Sequence, residues 1–225
     1  RVLRSKMAGR KETGGKVDCL ILPDHDGKGD RRSRNALIRG SRLTLGSQIT
    51  FKDSGDASLK ATVVGRESGA RYRLEFDDPD LISSCSALPL PPYIKKPLEE
   101  EERYQTIYGR NEGSLAAPTA GLHFTKRIFE ALENAGVERA FLTLHIGTGT
   151  FAPIRTEEVE DWKMHPEYYQ LADPTAHQIE SAVRSKRRIF AVGTTTVRAL
   201  ESASAGSTGG WSAKEGWTDK FIYPG

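Results

Sequence analysis

Residues 88-LPLPPYIKKP-97 place four prolines within ten positions. Each proline fixes φ near −65° and removes a backbone N–H, so this stretch is neither a helix interior nor a central strand; it reads as an extended connection between two separately folding pieces. The sequence on its two sides carries different periods. Before it, 17-VDCLIL-22, 43-LTLGSQITF-51, 58-SLKATVVGR-66 and 70-ARYRLEF-76 are short, rich in β-branched and aromatic residues, and separated by Gly, Asp, Ser and Pro. That pattern predicts a small antiparallel β-barrel-like domain over residues 1–90. After it, helices are expected over 98–108, 124–135, 174–186 and 194–204, alternating with strands over 137–146 and 188–193. Alternation with short connections predicts an α/β barrel-like or layered domain over residues 91–225, so the fold class is mixed α and β. In the second helix Thr125 stands where an N-cap belongs and Gly136 where a C-terminal glycine belongs.

The chain has 225 residues, 37% of them hydrophobic and 28% charged, and contains no apolar run near the about 18 residues of a membrane span. A soluble, cytoplasmic protein without membrane contact, monomeric or weakly oligomeric, is the expectation. Cys19 and Cys85 are too few and too far apart for a disulfide framework or a CxxC metal site, and read as reduced thiols. The chain starts at Arg1 and stops just after the strand-like 221-FIYPG-225, which suggests an internal portion of a longer protein. Charge is divided unevenly. Residues 1–92 hold 17 Lys+Arg against 12 Asp+Glu, while residues 93–225 hold 16 against 18. Within the basic part, Arg31, Arg32 and Arg34 form a cluster suited to a polyanion such as RNA, or simply a solvated loop.

Two loops could carry chemistry. In 145-HIGTGTF-151, Gly147 and Gly149 permit close backbone approach to a ligand, and Thr148 and Thr150 offer hydroxyls beside His145. The plain alternative is a tight turn. In 193-GTTTVRALE-201 a strand is expected to end at a glycine and a helix to begin with Thr194 and Thr195, a place where free N–H groups suit an anion. Arg198 and Glu201 follow on one face, as a ligand-binding pair or as an ordinary surface ion pair. Three histidines fall in marked contexts: His123 in 118-PTAGLHF-124 after Thr119 and Gly121, His145, and His165 in 164-MHPE-167 with Glu167. Their near-neutral pKa suits acid–base work. A metal site is an alternative, but no HxxxH, HxH or HExxH pair fixes two ligands on one element. His25 and His177 read as surface residues.

The motifs 89-PLPPYI-94, 104-YQTIYG-109, 116-AAPTAGLHF-124, 143-TLHIGTGTF-151, 164-MHPE-167, 192-VGTTTVRALES-202 and 222-IYPG-225, in this order, closely resemble the S-adenosylmethionine:tRNA ribosyltransferase-isomerase family of queuosine biosynthesis. The resemblance covers essentially the whole chain. It implies transfer and isomerisation of the ribosyl portion of S-adenosylmethionine onto 7-aminomethyl-7-deazaguanine at a tRNA wobble position, giving epoxyqueuosine, with adenine and methionine released. S-adenosylmethionine is then a co-substrate, tRNA the partner, and no metal is implied. On that reading His123 and His145 are candidates for proton transfer and His165 and Glu167 for assistance. Thr119, Gly121, Gly147, Thr148, Gly149, Thr150, Thr194, Thr195, Arg198 and Glu201 are candidates for substrate binding, and Arg31, Arg32 and Arg34 for tRNA. The chain departs from the family pattern in carrying Trp162 where a histidine is frequent and Thr148 where alanine is common. Family members also begin earlier and continue past the Tyr-Pro-Gly turn into an Asn-Phe-His-Leu-Pro segment. A tRNA-binding module without catalysis and a metal-dependent hydrolase are the competing readings.

Overall fold

The computed structural model describes the chain except residues 25–29, 41–42, 54–56, 68, 92, 97, 152–155, 205–209 and 225, and the side chains of 150 and 151. His25 therefore lies outside the described residues. Two compact units divide the chain: Val2–Lys95, and Lys96–Gly225 together with Arg1.

The first unit is a closed barrel of six strands, β1 (Lys6–Lys11), β2 (Lys16–Ile21), β3 (Ser33–Gly40), β4 (Gln48–Lys52), β5 (Ser58–Arg66) and β6 (Arg71–Phe76), in the order β1-β2-β3-β6-β5-β4. Every pairing is antiparallel. Alternate residues fill the interior, as a two-residue period requires: Ile49 and Phe51 on β4, Leu59, Ala61 and Val63 on β5, Tyr72, Leu74 and Phe76 on β6. The sequence reading finds β2, β5 and β6 but not β1 or β3. The segment KMAGRK has no β-branched or aromatic residue, so its propensity for strand is low. Tertiary packing makes it a strand: Met7 is buried in the core, and Gly9 leaves room for Phe51, whose ring atoms would stand 2.7–2.8 Å from a Cβ there. The strand expected at 43–51 is shorter than its apolar pattern, because residues 45–46 turn toward it and pairing begins at Gln48.

In the second unit, β7 (Thr143–Leu144), β8 (Glu167–Leu171) and β9 (Lys214–Thr218) form an antiparallel sheet with β8 central. Helices α2 (Asp173–Arg184) and α3 (Thr194–Ser204) contribute Ala176, Ile179, Ala199 and Ala203 to one core with Tyr169 and Leu171 of β8, so this unit is layered. Helix α1 (Lys126–Asn134) starts where the sequence places it. The hydroxyl of Thr125 accepts the N–H of Ile128 at 3.3 Å, and Gly136, at φ 70°, ends it with bonds from Gly136 N to Glu133 O and Val137 N to Leu132 O.

Three expected elements are corrected. The helix at 98–108 is a single 3-10 turn, Glu101–Tyr104, ended by Gln105, whose backbone is extended at φ −118°, ψ 141°. The strand at 137–146 contracts to Thr143–Leu144, where β8 supplies a partner. The segment 188–193 joins no strand: Ile189, Phe190 and Val192 remain exposed, and no described strand presents its backbone there. Apolar, β-prone sequence becomes a strand only beside a neighbour that can complete its hydrogen bonds. Among the described residues no helix is long and apolar enough to cross a membrane.

Candidate functional site

Among the described histidines, His145 is the buried one. It follows β7 directly, and its N–H donates to Tyr168 O at 2.8 Å, extending the ladder to β8 by one residue. Its ring is buried and stacks on Tyr168, with centroids 5.9 Å apart and planes 17° from parallel. Against the ring lies Gly113: a Cβ there would meet Cε1, Nδ1 and Nε2 at 3.0–3.1 Å, and its φ of 139° also favours glycine. Ser114 binds the next residue, its Oγ accepting the N–H of Ile146 at 3.0 Å and donating to Ala116 O at 2.7 Å. The imidazole is thus set by backbone bonds and by two packed surfaces. Such immobility is what proton transfer at a defined atom needs.

Beside His145 the glycine turn is anchored by a buried ion pair. The N–H of Gly147 donates to Glu167 Oε1 at 2.8 Å, and Glu167 Oε2 accepts from Arg198 Nη1. Both charged side chains are almost fully buried. Arg198 spends its other donors on the chain itself, Nε on Lys220 O at 2.6 Å and Nη2 on Thr218 O at 3.4 Å. One guanidinium therefore ties α3, the start of β8 and the residues after β9 together, and through Glu167 it holds the turn. Ser202 supports the same corner, donating to Thr218 Oγ1 at 2.6 Å. Gly149 has a separate reason to be glycine: a Cβ would come within 2.9 Å of His165 Cβ and 3.2 Å of its backbone nitrogen. On the other side of the His145 stack, Tyr168 donates its hydroxyl to Glu215 Oε2 at 2.7 Å; that bond, and then burial, raises the phenol pKa above its usual value.

A second group of candidates surrounds the 3-10 turn Thr119–His123. Gly121 is buried, and a Cβ on it would collide with the Tyr108 hydroxyl at 2.1 Å. Tyr108 belongs to an aromatic cluster with Phe129 and Phe141, at centroid distances of 5.9 and 5.3 Å, and burial raises its phenol pKa. The start of α3 adjoins this turn, a Cβ on Gly193 lying 3.4 Å from Ala120 Cβ. His123 and Thr119 are exposed at its edge, Thr194 is exposed and Thr195 half-buried.

A family profile described as queuosine biosynthesis protein matches residues 1–225. The chain belongs to the queuosine biosynthesis protein family. A protein of Macrococcus caseolyticus named S-adenosylmethionine:tRNA ribosyltransferase-isomerase is 40% identical over 231 residues, and one of the same name from Clostridium kluyveri is 42% identical over 231. Each alignment covers 100% of this chain and 65% of the relative. The chain thus spans about two-thirds, 65%, of the length of these curated relatives. A solved S-adenosylmethionine tRNA ribosyltransferase from Thermotoga maritima covers the chain fully and 59% of its own length at 23% identity, with a TM-score of 0.35, a likeness too slight to bear on the fold.

In this queuosine biosynthesis protein the sequence candidates therefore separate into two groups. His145, Gly147, Thr148, Gly149, His165, Glu167 and Arg198 gather around the turn, whereas Thr119, Gly121, His123, Thr194 and Thr195 gather around the 119–123 turn. The Thr150 side chain lies outside the described residues. Among the described residues, no three His, Cys, Asp or Glu side chains are grouped so as to hold a metal ion. The expected pairing of Arg198 with Glu201 is corrected: Arg198 turns inward to Glu167, and Glu201 is exposed. Arg31 pairs with Asp80 at 2.5 Å, and Arg34 Nη1 donates to Asp30 O and Ser33 O at 2.8 and 2.9 Å. Gly113, Ser114 and Tyr168 were not legible as site residues. The only signal for Gly113 is a glycine preceding the Ala-Ala-Pro run, and nothing in Tyr168 distinguishes it from a core tyrosine.

Proposed function

We propose that this chain is the larger part of an S-adenosylmethionine:tRNA ribosyltransferase-isomerase, and that it acts in the cytoplasm on tRNA bearing 7-aminomethyl-7-deazaguanine at the wobble position. The observation that carries this reading is the full-length family match together with two relatives of that name at 40–42% identity. The reaction joins the aminomethyl nitrogen, which gives up a proton, to one ribosyl carbon; within the ribosyl unit the carbon that loses adenine closes a carbon–carbon bond to the carbon that loses methionine, and the ring oxygen shifts carbons to become the epoxide. It breaks the glycosidic bond to adenine and the carbon–sulfur bond to methionine, and a proton must leave the carbon beside the sulfonium while one reaches the departing adenine. S-adenosylmethionine supplies the electrophile and needs no redox partner.

In this reading His145 moves protons. Its ring is fixed on one side by Tyr168 and on the other by Gly113, and its neighbour, the Gly147–Gly149 turn, offers backbone close to any ligand there. Glu167 and Arg198 hold that turn in place instead of touching substrate, since each is occupied by the other and by the main chain. His123 and His165, both exposed, are the remaining candidates for the second proton transfer.

The test uses the full-length protein with tRNA carrying the aminomethyl base and S-adenosylmethionine labelled separately in ribose and methyl. Ribose label in the tRNA, methyl label in free methionine, and adenine in solution are expected. Methyl label on the tRNA, or retention of tRNA with no adenine released, would overturn the proposal.

A further inference from the structure

The outer face of the barrel carries a row of cations that make no ion pair among the described residues. The register sets Lys60 of β5 opposite Thr50 of β4, Thr50 opposite Arg10 of β1, and Arg10 opposite Lys16 of β2. Lys60, Arg10 and Lys16 are all exposed. With strands about 4.8 Å apart the row is about 14 Å long. Lys52 lies diagonally beside Lys60 on β4, and Arg39 on β3 continues the face beyond β2. The acidic residues near the row are Asp18, opposite Ala8 and Arg39, Glu12 in the β1–β2 turn, and Asp77 beside Lys60, whose Oδ1 accepts the Lys60 backbone N–H at 3.0 Å without forming an ion pair with its ammonium. Among the described residues, Lys60, Arg10 and Lys16 form no ion pair; Arg10 donates one N–H to Gly14 O at 3.1 Å, which leaves its charge uncompensated.

Four other barrel cations are engaged within the fold. Arg31 pairs with Asp80 and Arg71 with Glu67, Arg34 binds two carbonyls, and Arg73 donates to Ser33 Oγ at 2.8 Å. What sets the row apart is a like-charge pair set directly across two strands, Arg10 opposite Lys16. Like charges directly opposite each other on a sheet are destabilising, so the Arg10–Lys16 pair weakens the barrel and gains nothing inside it. Salt and water screen such a pair, but a bound polyanion turns it into an attraction.

We propose that the Lys60–Arg10–Lys16 row is a phosphate-binding surface through which the barrel holds the transfer RNA, an inference that rests on the function proposed above and adds where the RNA backbone lies. The row offers ammonium and guanidinium groups with no hydrogen-bond acceptors in its side chains other than Thr50. It therefore reads backbone charge and not base identity. Each phosphate it neutralises contributes about 0.7–0.9 to the slope of log affinity against log salt, so three contacts contribute about two to three units.

The experiment measures binding of the aminomethyl-bearing tRNA to the full-length protein across a salt series. The variants are Lys16→Glu, the triple Arg10→Ala, Lys16→Ala, Lys60→Ala, and, for comparison, the triple Arg31→Ala, Arg32→Ala, Arg34→Ala. The row triple is expected to flatten the slope by about two to three units and the comparison triple by less. Lys16→Glu is expected to weaken RNA binding while leaving Tm unchanged or raising it, because it replaces a repulsive cross-strand pair with an attractive one. A slope unchanged in the row triple overturns the proposal, as does a larger loss in the comparison triple. So does a row triple that loses binding to phosphatidylserine vesicles but keeps its tRNA affinity. Ribose transfer by the unsubstituted protein separates the two readings: transfer there with an unchanged slope in the row triple removes the row alone, whereas the expected slope change with no transfer by the unsubstituted protein removes the activity and leaves the row.

Discussion

At the scale of single residues, the side chains that look most reactive in the sequence are not equally free to react. Arg198 follows a threonine-rich helix start, which suits an anion ligand, yet its guanidinium is enclosed by Glu167 and two carbonyls. Removing it takes the guanidinium partner from a buried carboxylate, that of Glu167. Arg198→Met is therefore expected to lower unfolding free energy by about 3–5 kcal/mol in denaturant titration; a change within about 0.5 kcal/mol would mean that the pair does not anchor the turn. Cys19 illustrates the opposite case, a group made inert by its place. Burial in the barrel pushes its thiol up to about 12 from 9.0. The unfolded thiol ionises near its ordinary value while the native one keeps its proton, so stability falls as pH rises from about 9 toward 12, by about 1.4 kcal/mol per unit. Burial also raises Cys85, and neither thiol should react with a disulfide reagent at pH 8 until the protein is unfolded. Rapid native labelling of Cys19 would contradict the barrel interior assigned to it.

At the scale of elements, α1 and α2 end by the same hydrogen-bond pattern with different residues. Gly136 ends α1 at φ 70°, and Lys186 ends α2 at φ 51° with Lys186 N bonded to Val183 O and Arg187 N to Ala182 O. A side chain in the left-handed region costs about 1–2 kcal/mol that glycine avoids. Lys186→Gly is accordingly expected to stabilise the protein by about 1 kcal/mol, read as a raised denaturation midpoint at constant m-value. A destabilised variant would show that the lysine side chain does more than tolerate its position. The glycine turn after β7 follows a different logic. Gly147 keeps ordinary space around it, a Cβ there lying 3.7 Å from Glu167 Cγ, and its N–H is what matters, whereas Gly149 is excluded from carrying a side chain by His165.

At the scale of the whole molecule, the barrel has what an independent domain requires. Its sheet closes on itself, so it presents no unpaired edge, and its core is drawn from all six strands. Residues 2–95 expressed alone are expected to unfold in a single cooperative transition with native-like near-UV circular dichroism. A non-cooperative melt would mean that the remaining polypeptide is needed to hold the barrel closed. Charge follows the same division, with the excess of basic residues in positions 1–92.

The amino-acid sequence by itself determined a β-rich first part, a mixed second part, and which family the motifs belong to. It also determined α1 down to its caps, because Thr125 and Gly136 act on neighbours three or four residues away. Only the tertiary structure decided which apolar stretches become strands. KMAGRK is recruited by the barrel against its own propensity, while 188–193, strand-like in composition, stays unpaired for want of a described neighbour. The site divides in the same way. His145 and its glycines stand out as a local pattern, but the Gly113 wall, the Tyr168 stack and the Glu167–Arg198 anchor join residues 31 or 32 positions apart in the chain, or more locally across strands. Burial and charge pairing are properties of space, and a one-dimensional pattern records them only where chain neighbours happen to be space neighbours.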